Sequence, residues 1–197
     1  SEKQEREEVE TMTELIEYYK GIFTILSSCA SRQLEEVTFR RTVIPVQELF
    51  DAAGKYFKKM MKNRTERIEL EMEPMEARVI GDVNQLRFLL ENLIDEALTV
   101  REDGVLRLQV RKDDGYIRFL FTDTRREKSV EELNQLFYPN LARMTSGEKG
   151  ELRGTEYLVC KQIIRDHDEF AGRRGCRINA EPAADGGFTV YFTVPRR

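Results

Sequence analysis

Carboxylates and an amide crowd one short stretch, GDVNQLRFLLENLIDEALTV at residues 81–100. Asn92, Glu96 and Thr99 fall four and three residues apart, so on a helix they share a face. Amide and carboxylate oxygens can ligate Mg²⁺. Glu91, Asp95 and Glu96 also form an acidic cluster of the kind that holds a metal, but a solvated helix face accounts for them more simply, and no metal is expected. Asp123 closes an apolar run and is followed by Thr124 and then RREK. Gly147, Gly150 and Gly154 punctuate TSGEKGELRG, which reads as a surface loop or a flexible lid. A serine nucleophile, a Cys–His pair and zinc spacing are all missing. Cys29, Cys160 and Cys176 are odd in number and far apart, which fits buried thiols in a reducing, cytosolic compartment. His167, the only histidine, reads as a solvated or capping residue at a helix end. The run GRRGCR is basic but short and without interleaved aromatics, and the net charge is −4, so nucleic acid is not an expected partner.

These residues need elements to hold them. Val9, Met12, Ile16, Tyr19, Phe23, Leu26 and Ala30 step by threes and fours, which predicts one long helix over residues 5–38 with a coiled-coil or bundle seam. The seam needs cover: a dimer partner or missing helix is preferred to packing on the chain's own domain. A second amphipathic helix carries Val46, Leu49, Phe50, Ala53, Phe57 and Met60, with Pro45 near its first turn. Ile68, Leu70 and Met72 alternate with glutamates as a half-buried strand. The opening stretch is a third helix, with Leu86, Leu89, Leu90, Leu93, Ile94 and Ala97 on its apolar face. VLRLQVRK and YIRFLFTD flank DDG as a hairpin. A short helix near 129–137, a helix over about 154–167 and two closing strands, CRINAEP and GFTVYFTVP, complete the chain. The sum is an α+β fold: helices on a mostly antiparallel sheet, in two layers. No apolar run approaches the length of a membrane span.

The order of the pieces resembles the catalytic domain of sensor histidine kinases. ARVIGDVNQLRFLLENLIDEALTV is similar to their asparagine box, and YIRFLFTDTR to the strand entering their first glycine box. LNQLFYP resembles their phenylalanine box, LVCKQIIRDH the helix after their second glycine box, and GGFTVYFTVP their closing strand. The helix running into VIPVQELFDAAGKYF resembles the end of their dimerisation hairpin. The resemblance implies the two-layer sandwich shared with gyrase, Hsp90 and MutL. It implies a dimerisation-type stalk at residues 1–42 and an ATPase-like domain at 43–197. It also implies a homodimer through the first helix and a response regulator or other signalling protein as partner. The compartment it implies is the cytoplasm, as part of a longer membrane-bound sensor.

The same resemblance implies where a nucleotide would be held, and there the motifs depart. Asn92 matches the first asparagine of the box, Glu96 replaces the second, and Thr99 replaces a lysine. A neutral-plus-positive face has become negative, the wrong sign for a triphosphate. Asp123 matches the aspartate that accepts from the adenine amino group, but RREK stands where glycines let the backbone approach the base, and the large side chains of Arg125 and Arg126 cannot replace glycine's permissive backbone. Gly154 matches the middle glycine of the second box, with Leu152 and Glu156 in the outer places. His167 aligns with the turn after the last helix, so a phosphoacceptor histidine would have to precede Ser1. The reading is a remnant site of Asn92, Glu96, Asp123 and Gly154, with no catalytic residue and no cofactor. The alternative is a divergent, active kinase that binds Mg-ATP through these residues. A site filled by Arg125 or Tyr157 would favour the first reading, and an open polar pocket the second.

Overall fold

The computed structural model describes residues 2–34, 39–139, 145–146 and 152–197, and only the backbone at 21–34, 145–146 and 152–153. The chain divides into two units. One comprises Ser1–Thr38 with Tyr138–Thr155, the other Phe39–Phe137 with Glu156–Arg197.

In the first unit, helix α1 spans Glu2–Leu34. Val9, Met12, Ile16 and Tyr19 of the expected seam are all exposed, between 51% and 65%. The side chains of Phe23, Leu26 and Ala30 lie outside the described residues, as does that of Cys29.

The second unit contains strand β1 (Thr42–Pro45), helix α2 (Val46–Met61), strands β2 (Ile68–Glu73) and β3 (Arg78–Gly81), and helix α3 (Val83–Leu98). Strands β4 (Gly104–Asp113) and β5 (Tyr116–Asp123) and the short helix α4 (Val130–Gln135) follow. The two-residue strands β6 (Thr145–Ser146) and β7 (Leu152–Arg153) pair antiparallel within the first unit. Helix α5 (Glu156–Phe170) and strands β8 (Ile178–Pro182) and β9 (Phe188–Pro195) complete the second.

The main sheet runs β2-β4-β5-β9-β8. Only β2 and β4 are parallel, and the rest pair antiparallel, as the two closing strands and the DDG hairpin lead one to expect. Asp114 turns that hairpin at φ 51°, a left-handed conformation that aspartate tolerates better than most residues. A separate ribbon of β1 and β3, not anticipated from sequence, runs antiparallel from Thr42 opposite Gly81 to Pro45 opposite Arg78.

Side-chain alternation builds the two layers. Leu106, Leu108 and Val110 of β4, Ile117, Phe119 and Phe121 of β5, and Val190, Phe192 and Val194 of β9 enter the core at every second position. They meet Leu49, Phe50 and Ala53 of α2, Leu86, Leu90 and Leu93 of α3, and Cys160, Ile163 and Ile164 of α5. Phe119 stacks on Phe192 with centroids 4.9 Å apart, and Phe50 lies 6.4 Å from Phe119. Met60, placed on the buried face of α2 by its spacing, is instead 39% exposed, because the apolar stripe has rotated off the core by the last turn.

Candidate functional site

Helix α3 is the platform, and its start is fixed first. Asp82 is its N-cap, accepting from the backbone N–H of Asn84 at 3.0 Å and Gln85 at 3.2 Å. The other carboxylate oxygen accepts from Arg40 N–H at 3.0 Å. The backbone N–H of Asp82 donates to His167 Nε2 at 3.1 Å, and His167 Nδ1 faces the carbonyl of Ile163 at 2.8 Å. The acceptor role of Nε2 puts the imidazole proton on Nδ1, so the ring is neutral. His167 is fully buried rather than solvated, which corrects the expectation from sequence. Burial pushes its pKa down, against smaller upward pulls from the Ile163 carbonyl and the Asp82 charge. Gly81 makes the contact possible, since a Cβ there would sit 2.7 Å from Nε2.

The polar face of α3 comes next. Asn92 is 7% exposed and its amide donates back along its own helix to Phe88 O at 2.8 Å. Glu96 is half-buried one turn on, and already engaged in a contact of its own. Thr99 is exposed and bonds the Glu96 carbonyl at 2.6 Å. Asp95 accepts from the Tyr56 hydroxyl of α2 at 2.6 Å. Burial raises the Asp95 pKa, the Tyr56 bond opposes that, and the charge of Glu156 on α5 adds to it. Glu156 carries a buried oxygen, Oε2, with no hydrogen-bond partner. Burial pushes the Cys160 thiol up strongly, with further contributions from the charges of Glu156 and Glu96. This side of α3 is therefore a place where negative charge meets negative charge. Among the described residues no group of three or more His, Cys, Asp or Glu is arranged to hold a metal ion.

Asp123, at the end of β5, is 4% exposed. Arg125 occupies both of its oxygens. Its backbone N–H and Nε each reach Oδ1 at 3.0 Å, and one terminal nitrogen reaches Oδ2 at 3.0 Å. The same guanidinium donates to the carbonyls of Ala97 at 2.6 Å, Val100 at 2.9 Å and Glu102 at 3.0 Å. It thereby caps the C-terminus of α3, where free carbonyls and the helix dipole favour a cation. All five guanidinium donors of an arginine can be used in a fork of this sort. The Arg125 side chain is 1% exposed and lies against Gly104, where a Cβ would come within 2.4 Å of its Cγ. Arg126 turns outward and pairs with Glu102 at 3.1 Å. On the other side of Asp123, Gly187 at φ 81° packs so closely that a Cβ would lie 1.9 Å from the Asp123 carbonyl oxygen.

Asn92 and Glu96 thus lie on the flank of α3, and Asp123, at the end of β5, is tied to the C-terminus of that helix through Arg125. Gly154, at φ 87°, belongs to the other unit, and Gly147 and Gly150 lie outside the described residues. Tyr157 is buried against Phe137, with ring centroids 5.7 Å apart. A cavity of about 460 Å³ lined by Pro45, Gln47, Met75 and Arg78, among others, lies at the junction of β1 and α2, and Asp123 does not line it. Sequence reasoning missed Tyr56 and the inward role of Glu156. The signal for Glu156 was its place at the first turn of a helix, beside two carboxylates on α3.

The profile of the family described as histidine kinase-, DNA gyrase B-, and HSP90-like ATPase matches residues 81–197. The chain belongs to this family. The matched region opens at Gly81, one residue before the α3 N-cap, and takes in both the Asp123–Arg125 pair and the closing strand. Among solved structures, the catalytic domain of histidine kinase ThkA aligns at TM-score 0.61 and 20% identity, covering 80% of this chain and 96% of that one. The mycobacterial sensor histidine kinase MprB aligns at 0.56 and 17%, covering 81% of this chain and 99% of that one. ThkA in complex with the response regulator TrrA aligns at 0.61 and 18%, covering 95% of this chain and 52% of that one. The likeness is one of fold: this ATPase-family member has the architecture of histidine kinase catalytic domains. No curated protein sequence matches it. Among the described residues no helix is long and apolar enough to cross a membrane.

Proposed function

We propose that this ATPase-family chain is a histidine-kinase-like domain that works in signal transduction by protein contact, with a nucleotide site that no longer functions. The supporting observation is the Arg125 fork on Asp123. The carboxylate that matches the family's adenine reader has both oxygens engaged, and Arg125 could release it only by abandoning three carbonyls as well. The polar flank of α3 supports the same reading. Asp95, Glu96 and the uncompensated oxygen of Glu156 would face a triphosphate with like charge. No cofactor is assigned, Mg-ATP included.

In this proposal residues 1–42 form a stalk and 43–197 the ATPase-like domain. The exposed Val9, Met12, Ile16 and Tyr19 of α1 support a homodimer through that helix. A response regulator, the kind of protein bound by ThkA, is the partner class proposed, in the cytoplasm. Light scattering of the full chain tests the dimer: a monomer at high concentration refutes it.

The competing reading is an active kinase that binds Mg-ATP through Asn92, Glu96, Asp123 and Gly154 and phosphorylates a histidine outside this sequence. Calorimetry with Mg-ATP decides between them. No heat at millimolar nucleotide is expected. Binding near physiological concentration that Asp123→Ala abolishes would overturn the proposal.

A further inference from the structure

The basic run GRRGCR takes on a different character once folded. Its arginines join others from distant segments at one end of the second unit. The Arg173 guanidinium donates to Gly115 O at 3.0 Å and lies over the Tyr116 ring, 5.8 Å from its centroid. The backbone N–H of Arg196 donates to the same Gly115 carbonyl at 2.9 Å, and that of Arg197 to Arg78 O at 3.2 Å. A terminal nitrogen of Arg41 is so near Gly172 that a Cβ there would lie 2.5 Å away. The fold therefore supplies the aromatic that the run lacks in sequence. It also gathers cations from the residue before β1, the start of β3, the loop after α5 and the end of β9.

Few carboxylates balance them. Asp168 is spent on the loop itself, accepting from Gly175 and Cys176 N–H and pairing with Arg174. Asp113 is held by Arg118. Asp114 and Glu169 are exposed acids nearby, and the exposed Glu76 lines the same cavity as Arg78. Among the described residues, Arg41, Arg78, Arg173, Arg196 and Arg197 have no carboxylate partner, in a chain whose net charge is −4. Phe170, two residues before the Gly172 that Arg41 approaches, is 49% exposed, its ring 5.8 Å from Phe39.

Guanidinium groups bind phosphate in a planar fork. Cations around an apolar tip match the boundary between phosphate headgroups and acyl chains, where the tip is buried and the charges stay wet. A groove that tracks a strand, with several stacking rings, is what single-stranded nucleic acid would need. Here the cations sit on the tips of turns and strand ends, with one protruding aromatic. We infer that this end of the domain, Arg41, Arg78, Arg173, Arg196 and Arg197 around Phe170, docks on an anionic phospholipid surface.

Vesicle co-sedimentation of the full chain tests it. Partition is expected onto phosphatidylcholine vesicles containing about 30% phosphatidylglycerol, and not onto pure phosphatidylcholine, with loss at about 0.5 M salt. Arg196→Glu with Arg197→Glu, whose side chains make no bond in the fold, should weaken partition at least about 30-fold with the melting temperature unchanged. Phe170→Ser should weaken it further at constant charge. Equal binding to neutral vesicles, no binding to either, or insensitivity to the double variant overturns the inference. So does duplex DNA or polyglutamate stripping the protein from vesicles at stoichiometric amounts, which would reassign the surface to that polymer.

Discussion

Replacing Arg125 by alanine puts the heart of the site to the test. Asp123 and Arg125 are 5% and 1% exposed in their side chains, so the variant strands a carboxylate with no water to solvate it. Breaking one side of a buried ion pair costs about 3–5 kcal/mol. The carbonyls of Ala97, Val100 and Glu102 lose a donor as well, at a helix end where the Thr99 hydroxyl reaches only the Glu96 carbonyl. Water entering the vacated space offsets part of this, so the lower half of the range, about 3–4 kcal/mol, is expected. For a chain of this size each kcal/mol lowers the melting temperature by about 2–4 °C, which places the shift near 10 °C. Denaturant unfolding gives the free energy directly. The double variant Asp123→Leu with Arg125→Met removes both charges and should recover most of the loss, since apolar replacements of buried pairs are often neutral. A single variant within about 0.5 kcal/mol of the parent, at unchanged m, would refute the lock.

Three further outcomes follow from the same geometry. Stability should fall as pH drops through the range below about 6.5, because the unfolded chain then protonates His167 while burial keeps the folded ring neutral. In His167→Leu that part of the slope should vanish, with about 1–3 kcal/mol lost at pH 8 from the orphaned Asp82 N–H, read from denaturant midpoints at the two pH values. Gly187→Ala drives a Cβ into the Asp123 carbonyl at a left-handed φ and should cost about 2 kcal/mol or more, measured by thermal melting. Tyr56→Phe removes the bond that favours the charged form of Asp95, so the already raised pKa of that carboxyl should climb further, as carboxyl NMR titration would report.

Much of the scaffold was legible because it is written in local periods. The leucines of α3 recur at helical spacing, and the β4–β5 hairpin alternates around a two-residue turn. What escaped was non-local. The β1–β3 ribbon pairs Val43 with Ile80 and Ile44 with Val79 across intervening elements, and neither four-residue strand is long enough to show a period. The role of His167 depends on a residue 85 positions away, so its sequence neighbours suggested only a helix end. At the site, the loss of glycine at position 125 was visible, and with it the loss of a close backbone approach. The destination of the guanidinium was not, since it is set by three carbonyls brought there by the end of α3.

The place of β9 in the sheet has a consequence for how the chain assembles. This strand lies between β5 and β8, so the strand that comes latest in this sheet fills an interior position rather than its rim. Until Phe188–Pro195 emerges, β5 presents an open edge of unpaired amides and a bare Phe119 that later stacks on Phe192. The nascent protein therefore carries this uncovered edge from the completion of β5 at Asp123 until β9 begins at Phe188. A truncation that removes β9 would leave that surface permanently uncovered, producing an aggregating chain rather than a smaller domain.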